Sequence, residues 1–292
     1  MGNRRDADTC GFVNVHKPLG ITSHDCLLQV KKTLRVKKAG HSGTLDPLAT
    51  GVLPIALNQA TRLLPYLPTG KAYRAVIKFG LATTTDDKEG EVIQDHPCPH
   101  LQLEDVRPLL PQFIGTIEQV PPAYSAIKVQ GKKMYDLARS GIAVDLPPRT
   151  VTIDSIDILH WQPGDYPELT LHITCGTGTY IRSIARDLGK LLGYGGVLTF
   201  LERTHSNGFH LEDSVPPDRV TPASVVDPAV PFAHLATVEL DPLQRRQWQQ
   251  GQKISLGLDL EEGMVRVLAE KRFLGLGKTK GGIIYPRVVL AS

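Results

Sequence analysis

The spacing of hydrophobic and polar residues predicts short strands and helices in an irregular order along the chain. Apolar and polar residues alternate from Tyr73 to Phe79, which is typical of a strand with one buried face. From Tyr180 to Leu192 the apolar residues recur at helical spacing instead. The stripe of this helix comprises Ile181, Ile184, Ala185, Leu188 and Leu191.

The same spacing of hydrophobic and polar residues predicts the other strands and helices. Strands are predicted over residues 12–15, 52–57, 91–94, 149–161 and 169–175. Helices are predicted from a cap at Thr22 or Ser23 to Leu34, and over residues 60–67, 103–113, 134–139 and 241–250. Because strands and helices do not alternate regularly, we expect an α+β fold with a mixed, mostly antiparallel sheet and flanking helices.

A change in composition predicts where the chain divides. Polar, proline-bearing sequence over residues 213–231 indicates a boundary, with a main domain over 1–232 and a small β module over 233–292. The module has predicted strands at residues 253–254, 265–269 and 282–290. A module of this size is small for independent stability, so we expect it to pack against the main domain.

The stretch from Gly40 to Pro54 has the composition of a shaped loop, with three glycines and two prolines. Asp46 is its only acid, and Pro47 biases it away from the helical region. Five of the eight residues from Lys31 to Lys38, just before the loop, are basic. Asp46 is therefore a candidate nucleophile or base, while a turn-capping carboxylate or one paired with an arginine is an equal alternative.

The composition excludes several classes of protein. The chain has 292 residues, 41% hydrophobic and 22% charged, and no apolar run is long enough to span a bilayer. No secretory leader is evident, and the four scattered cysteines fit free thiols, so we expect a cytoplasmic protein. His96, Cys98 and His100 are predicted to form a loop and not a metal site. The net charge of +3 alone does not identify a nucleic-acid partner.

Several segments together resemble the bacterial tRNA pseudouridine synthase B family over about residues 12 to 290. The N-terminal motif is HKPLGITS at residues 16–23, and the central motif is GHSGTLDPLATGVLP at 40–54, continued by 60–62. Further matches are 71–73, the block 121–126 with Lys128, Gly131 and Tyr135, and the segments 175–182, 187–189, 201–203 and 208–209. The family commonly reads Thr-Asp-Thr and then an Asp two places on, where this chain has Thr83-Thr84-Thr85-Asp86-Asp87. Thr84 puts a loop contact in doubt, and not the reaction.

The resemblance implies a pseudouridine synthase fold with a C-terminal PUA-like module, and a role for each matching residue. Asp46 would be the nucleophile that attacks the ribose C1′ or the uracil C6, and Arg182 would be its counter-ion. Tyr73 would stack on the base and is a candidate for proton transfer. Because a uridine inside a folded T-loop is inaccessible, it must be extruded.

The substrate contacts are implied in the same way. His41 would fill the gap that the extruded base leaves, Tyr180 would contact the target nucleotide, and Leu201 would pack in the pocket. Lys17 belongs to the substrate-binding region, where packing beside the loop is favoured over catalysis. Basic residues at 31–38, at 128–139 and in the terminal module would touch phosphates.

The resemblance implies a tRNA substrate, recognised through its T-arm, and no cofactor, metal or obligatory protein partner. By analogy we expect a monomer. The alternative function is a tRNA-binding folding chaperone with secondary or absent catalysis. A carboxylate-nucleophile hydrolase of a small substrate has less support, because no second carboxylate lies in a comparable motif.

Overall fold

A computed structural model describes residues 9–122, 128–129, 132–133, 147–257 and 261–291. The predicted helix over 134–139 and the motif residues 123–126, Gly131 and Tyr135 lie outside this part of the chain. The basic cluster over 128–139 is described only through the backbone of four lysine and valine positions.

The bounds of the elements follow in chain order. The first nine strands are β1 Gly11–Lys17, β2 Ala39–His41, β3 Ala49–Leu57, β4 Lys71–Phe79, β5 Leu81–Thr83, β6 Val92–Asp95, β7 Gly115–Gln119, β8 Lys128–Val129 and β9 Lys132–Lys133. The others are β10 Arg149–Gln162, β11 Glu168–Cys175, β12 Gly196–Ser206, β13 Phe209–His210, β14 Val225–Val226, β15 Ala236–Glu239, β16 Ile254–Ser255, β17 Gly263–Ala269, β18 Arg272–Lys280 and β19 Ile283–Val289. The helices are α1 Ser23–Thr33, α2 Leu103–Val106, α3 Ile181–Leu192 and α4 Pro242–Gln249.

The chain divides into two compact units. Unit 1 comprises residues 1–47, 51–68 and 206–292, and unit 2 comprises residues 48–50 and 69–205. Unit 1 therefore contains both ends of the chain, while unit 2 is nearly continuous in sequence. The boundary predicted between residues 232 and 233 stays a prediction.

Strands β1 and β3 form the centre of unit 1 and are buried on both faces. They pair antiparallel, and β14 and β2 pair with them on either side. Side chains of a strand alternate between its faces. Val13, Leu53 and Ile55 therefore pack with Cys26 and Val30 of α1, in one cluster.

The opposite face of the same strands belongs to a second cluster. Phe12, Val52 and Ala56 pack there with Leu276 and Val288 of the C-terminal module. Burial on both faces explains why β3 reads as a nearly unbroken apolar run. It also confirms that the module packs against the rest of the chain.

The C-terminal module is a five-stranded sheet in the order β15-β17-β18-β19-β16, with α4 packed against it. Trp248 is fully buried in its own core and donates its Nε1–H to the carbonyl of Leu274 at 3.2 Å. Strand β18 was not predicted, because Gly275 and Gly277 lower its strand propensity. Close packing requires both glycines, since a Cβ would clash with the Val288 carbonyl or with Ile284.

Unit 2 is built on the strand order β12-β4-β11-β10-β7. The β4–β11, β11–β10 and β10–β7 pairs are all antiparallel, as the predicted sheet requires. Helix α3 packs its buried stripe on this sheet, although Leu191 is 53% exposed and its predicted burial was wrong. Leu191 lies in the last turn of α3.

Two predicted helices form mostly 3₁₀ turns. Residues 60–67 are divided between 3₁₀ segments at Asn58–Arg62 and Leu64–Tyr66, and only Leu103–Val106 of the segment 103–113 is α-helical. Proline inside each segment removes a backbone donor and prevents a longer helix. Strand β12 was not predicted either, because its interior contains the charged residues Glu202 and Arg203.

Candidate active site

The backbone on the N-terminal side of Asp46 is held by the hydroxyl of Ser23. Ser23 is 2% exposed at the start of α1, where Thr22 serves as the cap. Its Oγ accepts from the Leu45 N–H at 2.7 Å and donates to the Leu45 carbonyl at 3.0 Å. One side chain thus satisfies both polar groups of a buried backbone residue.

The C-terminal side of Asp46 is held through the carbonyl of Pro47. That oxygen accepts from the Gly20 N–H at 2.9 Å and from Lys17 Nζ at 3.4 Å. Lys17 is fully buried, and its ammonium also donates to the carbonyls of Pro18 and Ile21 at 2.9 and 2.7 Å. Lys17 was predicted to pack beside the loop, and this environment fits that prediction. Its ammonium donates to backbone carbonyls.

Asp46 itself lies in a non-repetitive stretch and is half-buried. Gly43 before it and Gly51 after it have φ of 93° and 100°, in the region that favours glycine. With Leu45 and Pro47 both held by hydrogen bonds, the backbone is fixed on both sides of Asp46. His41 ends β2 opposite Ile55 and is also half-buried.

Arg182 of unit 2 is held by the loop that follows β5. It is 5% exposed, its Nη1 lies 3.3 Å from Asp87 Oδ2, and it donates to the Thr85 carbonyl at 3.1 Å. Asp87 is 3% exposed and accepts from Thr85 Oγ1 and the Glu89 N–H. Asp87 was not predicted as a site residue, although it is the Asp that completes the family's loop pattern.

A second pair lies one helical turn further along α3. Arg186 donates from Nη1 to Asp86 Oδ2 at 2.9 Å, and it also donates to Asp187 and to the Val120 carbonyl. Burial raises the pKa of Asp86, and the charge of Arg186 opposes that shift. Asp86 has φ of 62°, a left-handed conformation that is uncommon outside glycine.

Tyr180 is fixed by its backbone at the start of α3. Its N–H donates to Gln119 Oε1 at 2.8 Å, and its carbonyl accepts from Gln119 Nε2 at 3.0 Å. Tyr73 is 6% exposed on β4, and Leu201 is 7% exposed on the adjacent strand β12. Both side chains are therefore largely buried within unit 2.

Lys71 shares β4 with Tyr73 and has an unusual environment for a lysine. It is 9% exposed and lies opposite Cys175 of β11. Burial, reinforced by the charge of Arg203, lowers the pKa of Lys71 to about 8. Burial also raises the pKa of the Cys175 thiol to about 11, so this thiol stays protonated at neutral pH.

The predicted site residues therefore lie in two groups. Lys17, His41 and Asp46 belong to unit 1, and Tyr73, Tyr180, Arg182 and Leu201 belong to unit 2. The pairing of Asp46 with Arg182 stays a prediction.

Within the described ranges, no cluster of three or more His, Cys, Asp or Glu side chains has the geometry to hold a metal ion. No helix in that part of the chain has the length and apolar character needed to cross a membrane.

Comparisons with known proteins agree with this architecture. Residues 31–181 match the model of the TruB family pseudouridylate synthase N-terminal domain, and residues 236–290 match the model of the pseudouridine synthase II TruB C-terminal domain. The tRNA pseudouridine synthase B of Trichormus variabilis is 51% identical over 287 residues, covering 96% of this chain and 98% of the relative. That of Gloeobacter violaceus is 46% identical over 289 residues, covering 97% and 99%.

Solved structures support the fold. An H/ACA RNP bound to a substrate RNA containing 2′-deoxyuridine matches with a TM-score of 0.70 at 23% identity, over 96% of this chain and 85% of that one. A Cbf5–Nop10–Gar1 complex matches with a TM-score of 0.69 at 25% identity, over 96% and 84%. The predicted α+β fold, with its mostly antiparallel sheet and C-terminal β module, is confirmed.

Proposed function

Because this chain belongs to the TruB family of pseudouridine synthases, we propose that it converts uridine to pseudouridine at position 55, in the T-loop of tRNA. The observation that carries the proposal is the placement of Asp46. The family's central motif becomes a loop in which hydrogen bonds hold both neighbours of this carboxylate. A catalytic group held in this way needs little reorganisation when the substrate binds.

The reaction is an isomerisation, and its atoms balance without a cofactor. The N1–C1′ bond breaks and a C5–C1′ bond forms, while C5 loses a proton and N1 gains one. Reactant and product share one formula and one oxidation state, so neither a redox group nor an energy source is needed. One fragment must be retained while the base turns, which a covalent bond to a carboxylate achieves.

Asp46 is the nucleophile in this proposal, with attack at C1′ or at C6 as the two possible routes. Arg182 is the counter-ion of the site, and Asp87 limits how much of its charge remains for other partners. Tyr73 stacks on the extruded base and is a candidate for proton transfer, and Tyr180 contacts the target nucleotide. His41 occupies the space that the base leaves in the T-loop.

The RNA is held by its shape and its phosphates. Exposed cations of the run 31–38 lie in unit 1 together with the Asp46 loop, where they can contact the backbone of the T-arm. Arg266 and other basic residues of the C-terminal module add contacts to the tRNA. We place the enzyme in the cytoplasm as a monomer without an obligatory protein partner, which sedimentation of the free and tRNA-bound protein would test.

The test uses an unmodified tRNA transcript with tritium at uracil C5, because formation of the new bond releases that hydrogen to water. Asp46→Asn should abolish tritium release and leave tRNA affinity within about threefold, since the substitution is nearly isosteric. Asp213→Asn removes an exposed carboxylate of the same unit and serves as the matched control. It should behave as the wild type.

Three outcomes would contradict the proposal. Tritium release by Asp46→Asn at the wild-type rate would refute the nucleophile. Refolding of misfolded tRNA by a wild-type protein that forms no pseudouridine would favour the chaperone function. Release of free uracil would indicate a hydrolase.

A further inference from the structure

Two arginines on one face of α3 pair with two consecutive carboxylates. Arg182 and Arg186 are four residues apart, so their side chains are neighbours on the helix surface. Arg182 pairs with Asp87 at 3.3 Å, and Arg186 pairs with Asp86 at 2.9 Å. All four residues lie in unit 2, and each arginine has one carboxylate of the loop as its partner.

The conformation of Asp86 makes this arrangement possible. In an extended segment, consecutive side chains point in opposite directions and could not both face one helix. The φ of 62° at Asp86 turns the backbone, so that Asp86 and Asp87 both reach α3. Left-handed residues other than glycine are strained and persist where their surroundings hold them.

Arg186 supplies that restraint from several directions. It forms two hydrogen bonds with Asp187 on its own helix and donates to the Val120 carbonyl at 2.8 Å. Backbone bonds between the loop and Leu198 of β12 hold the same turn from its other side. The position of Arg186 is therefore fixed independently of Asp86, so it can serve as an anchor for the loop.

Without the carboxylate of Asp86, this anchor would become a competitor. Arg186 would retain its charge one helical turn from Arg182 and could attract Asp87 away from it. Asp87 and Arg182 are both almost fully buried, and a buried pair depends strongly on its geometry. Occupying Arg186 with Asp86 keeps Asp87 on Arg182.

We infer that Asp86 and Arg186 are positioning residues of the active site, which act on the reaction through the Asp87–Arg182 pair. This inference rests on the proposed function, because it assumes that Arg182 serves the isomerisation. It assigns a role to a pair that the sequence motifs do not include. It also assigns a role to Asp86, which lies between Thr85 and Asp87 in the loop.

The test is a double-mutant cycle on the kcat of tritium release. Asn tolerates the left-handed conformation, so Asp86→Asn removes the charge with little strain. We expect this variant to lose about tenfold in kcat with KM unchanged, because contacting residues couple by this order of magnitude. When Asp86→Asn is added to Asp87→Asn, we expect no further loss in kcat, because Asp86 acts through Asp87.

Two further variants separate positioning from general stability. Arg186→Lys keeps the charge but loses the planar fork, and it should have a kcat between those of the wild type and Asp86→Asn. Lys78→Ala removes the Lys78–Glu168 pair at 2.9 Å on the sheet of the same unit and should leave kcat unchanged. Melting temperatures measured alongside show whether kcat changes while the protein remains folded.

The inference is overturned if Asp86→Asn keeps the wild-type kcat, or if the losses at residues 86 and 87 multiply in the double variant. It is also overturned if every loss in kcat follows the loss in melting temperature. A wild-type rate in Asp46→Asn would instead contradict the nucleophile alone. The cycle would still report whether Asp86 acts through Asp87.

Discussion

Replacing Ser23 with alanine removes both hydrogen bonds that fix Leu45 beside Asp46. The two bonds, at 2.7 and 3.0 Å, involve a hydroxyl and a backbone residue that are both buried. A net bond contributes about 1 kcal/mol, and a buried polar group left without a partner costs about 1–3 kcal/mol. We therefore expect Ser23→Ala to lower the free energy of unfolding by about 2–4 kcal/mol.

The effect on catalysis should be comparable to the effect on folding, because a hundredfold loss in rate corresponds to about 2.7 kcal/mol. A catalytic group displaced by about 1 Å can lose about a hundredfold in rate, and Leu45 is the residue next to Asp46. We expect Ser23→Ala to lose about this factor in kcat at a temperature where it is folded. The measurements are tritium release under single-turnover conditions and urea unfolding followed by circular dichroism.

Thr22→Ala is the matched control, because Thr22 caps the same helix without touching the loop. Its side chain accepts from the Asp25 N–H, and losing such a cap costs about 1 kcal/mol. The control should be slightly destabilised and fully active. If Ser23→Ala loses no more kcat and no more unfolding free energy than Thr22→Ala, the hydroxyl does not hold the Asp46 loop.

Three other substitutions test separate features. Tyr73→Phe should keep tRNA affinity and lose kcat by about a hundredfold, as removal of a proton-transfer group does; an unchanged kcat would leave stacking as its only role. Burial lowers the pKa of Lys71 from 10.5 to about 8, so the folded state releases this proton first and stability should rise between these pH values. Lys71→Met should remove this rise, measured as melting temperature against pH. A pH profile of melting temperature parallel to that of the wild type would contradict the prediction. Gly189→Ala should prevent stable folding at 37 °C, because its Cβ would overlap the backbone of Gly195 and Gly196; a soluble, active variant would refute this.

Local patterns predicted the elements whose causes are local. Thr22 caps α1 as expected because its side chain reaches a backbone N–H three residues away. The alternation in β4 and most of the stripe of α3 were right because each reflects one buried face. The exposure of Leu191 was not predicted, because helical spacing alone does not show which positions of a stripe the rest of the chain covers.

The contacts that shape the site join distant segments, and local patterns do not contain them. Ser23 meets Leu45 across 22 residues, and Arg182 meets Thr85 across 97. The family resemblance identified Asp46 and Arg182 as motif residues, but it gave no reason to connect Asp87 with Arg182. Such pairings become visible only when the chain is folded.

The shared core of Phe12, Val52, Leu276 and Val288 has a consequence for synthesis on the ribosome. Residues 69–205 form one nearly continuous unit, and domains generally fold as units in the order of their synthesis. The strands that flank the Asp46 loop must wait for Leu276 and Val288 to cover their second face. A nascent chain halted before residue 276 would therefore hold a complete motif and an unfinished core, and we expect it to be inactive until the C-terminal module has folded.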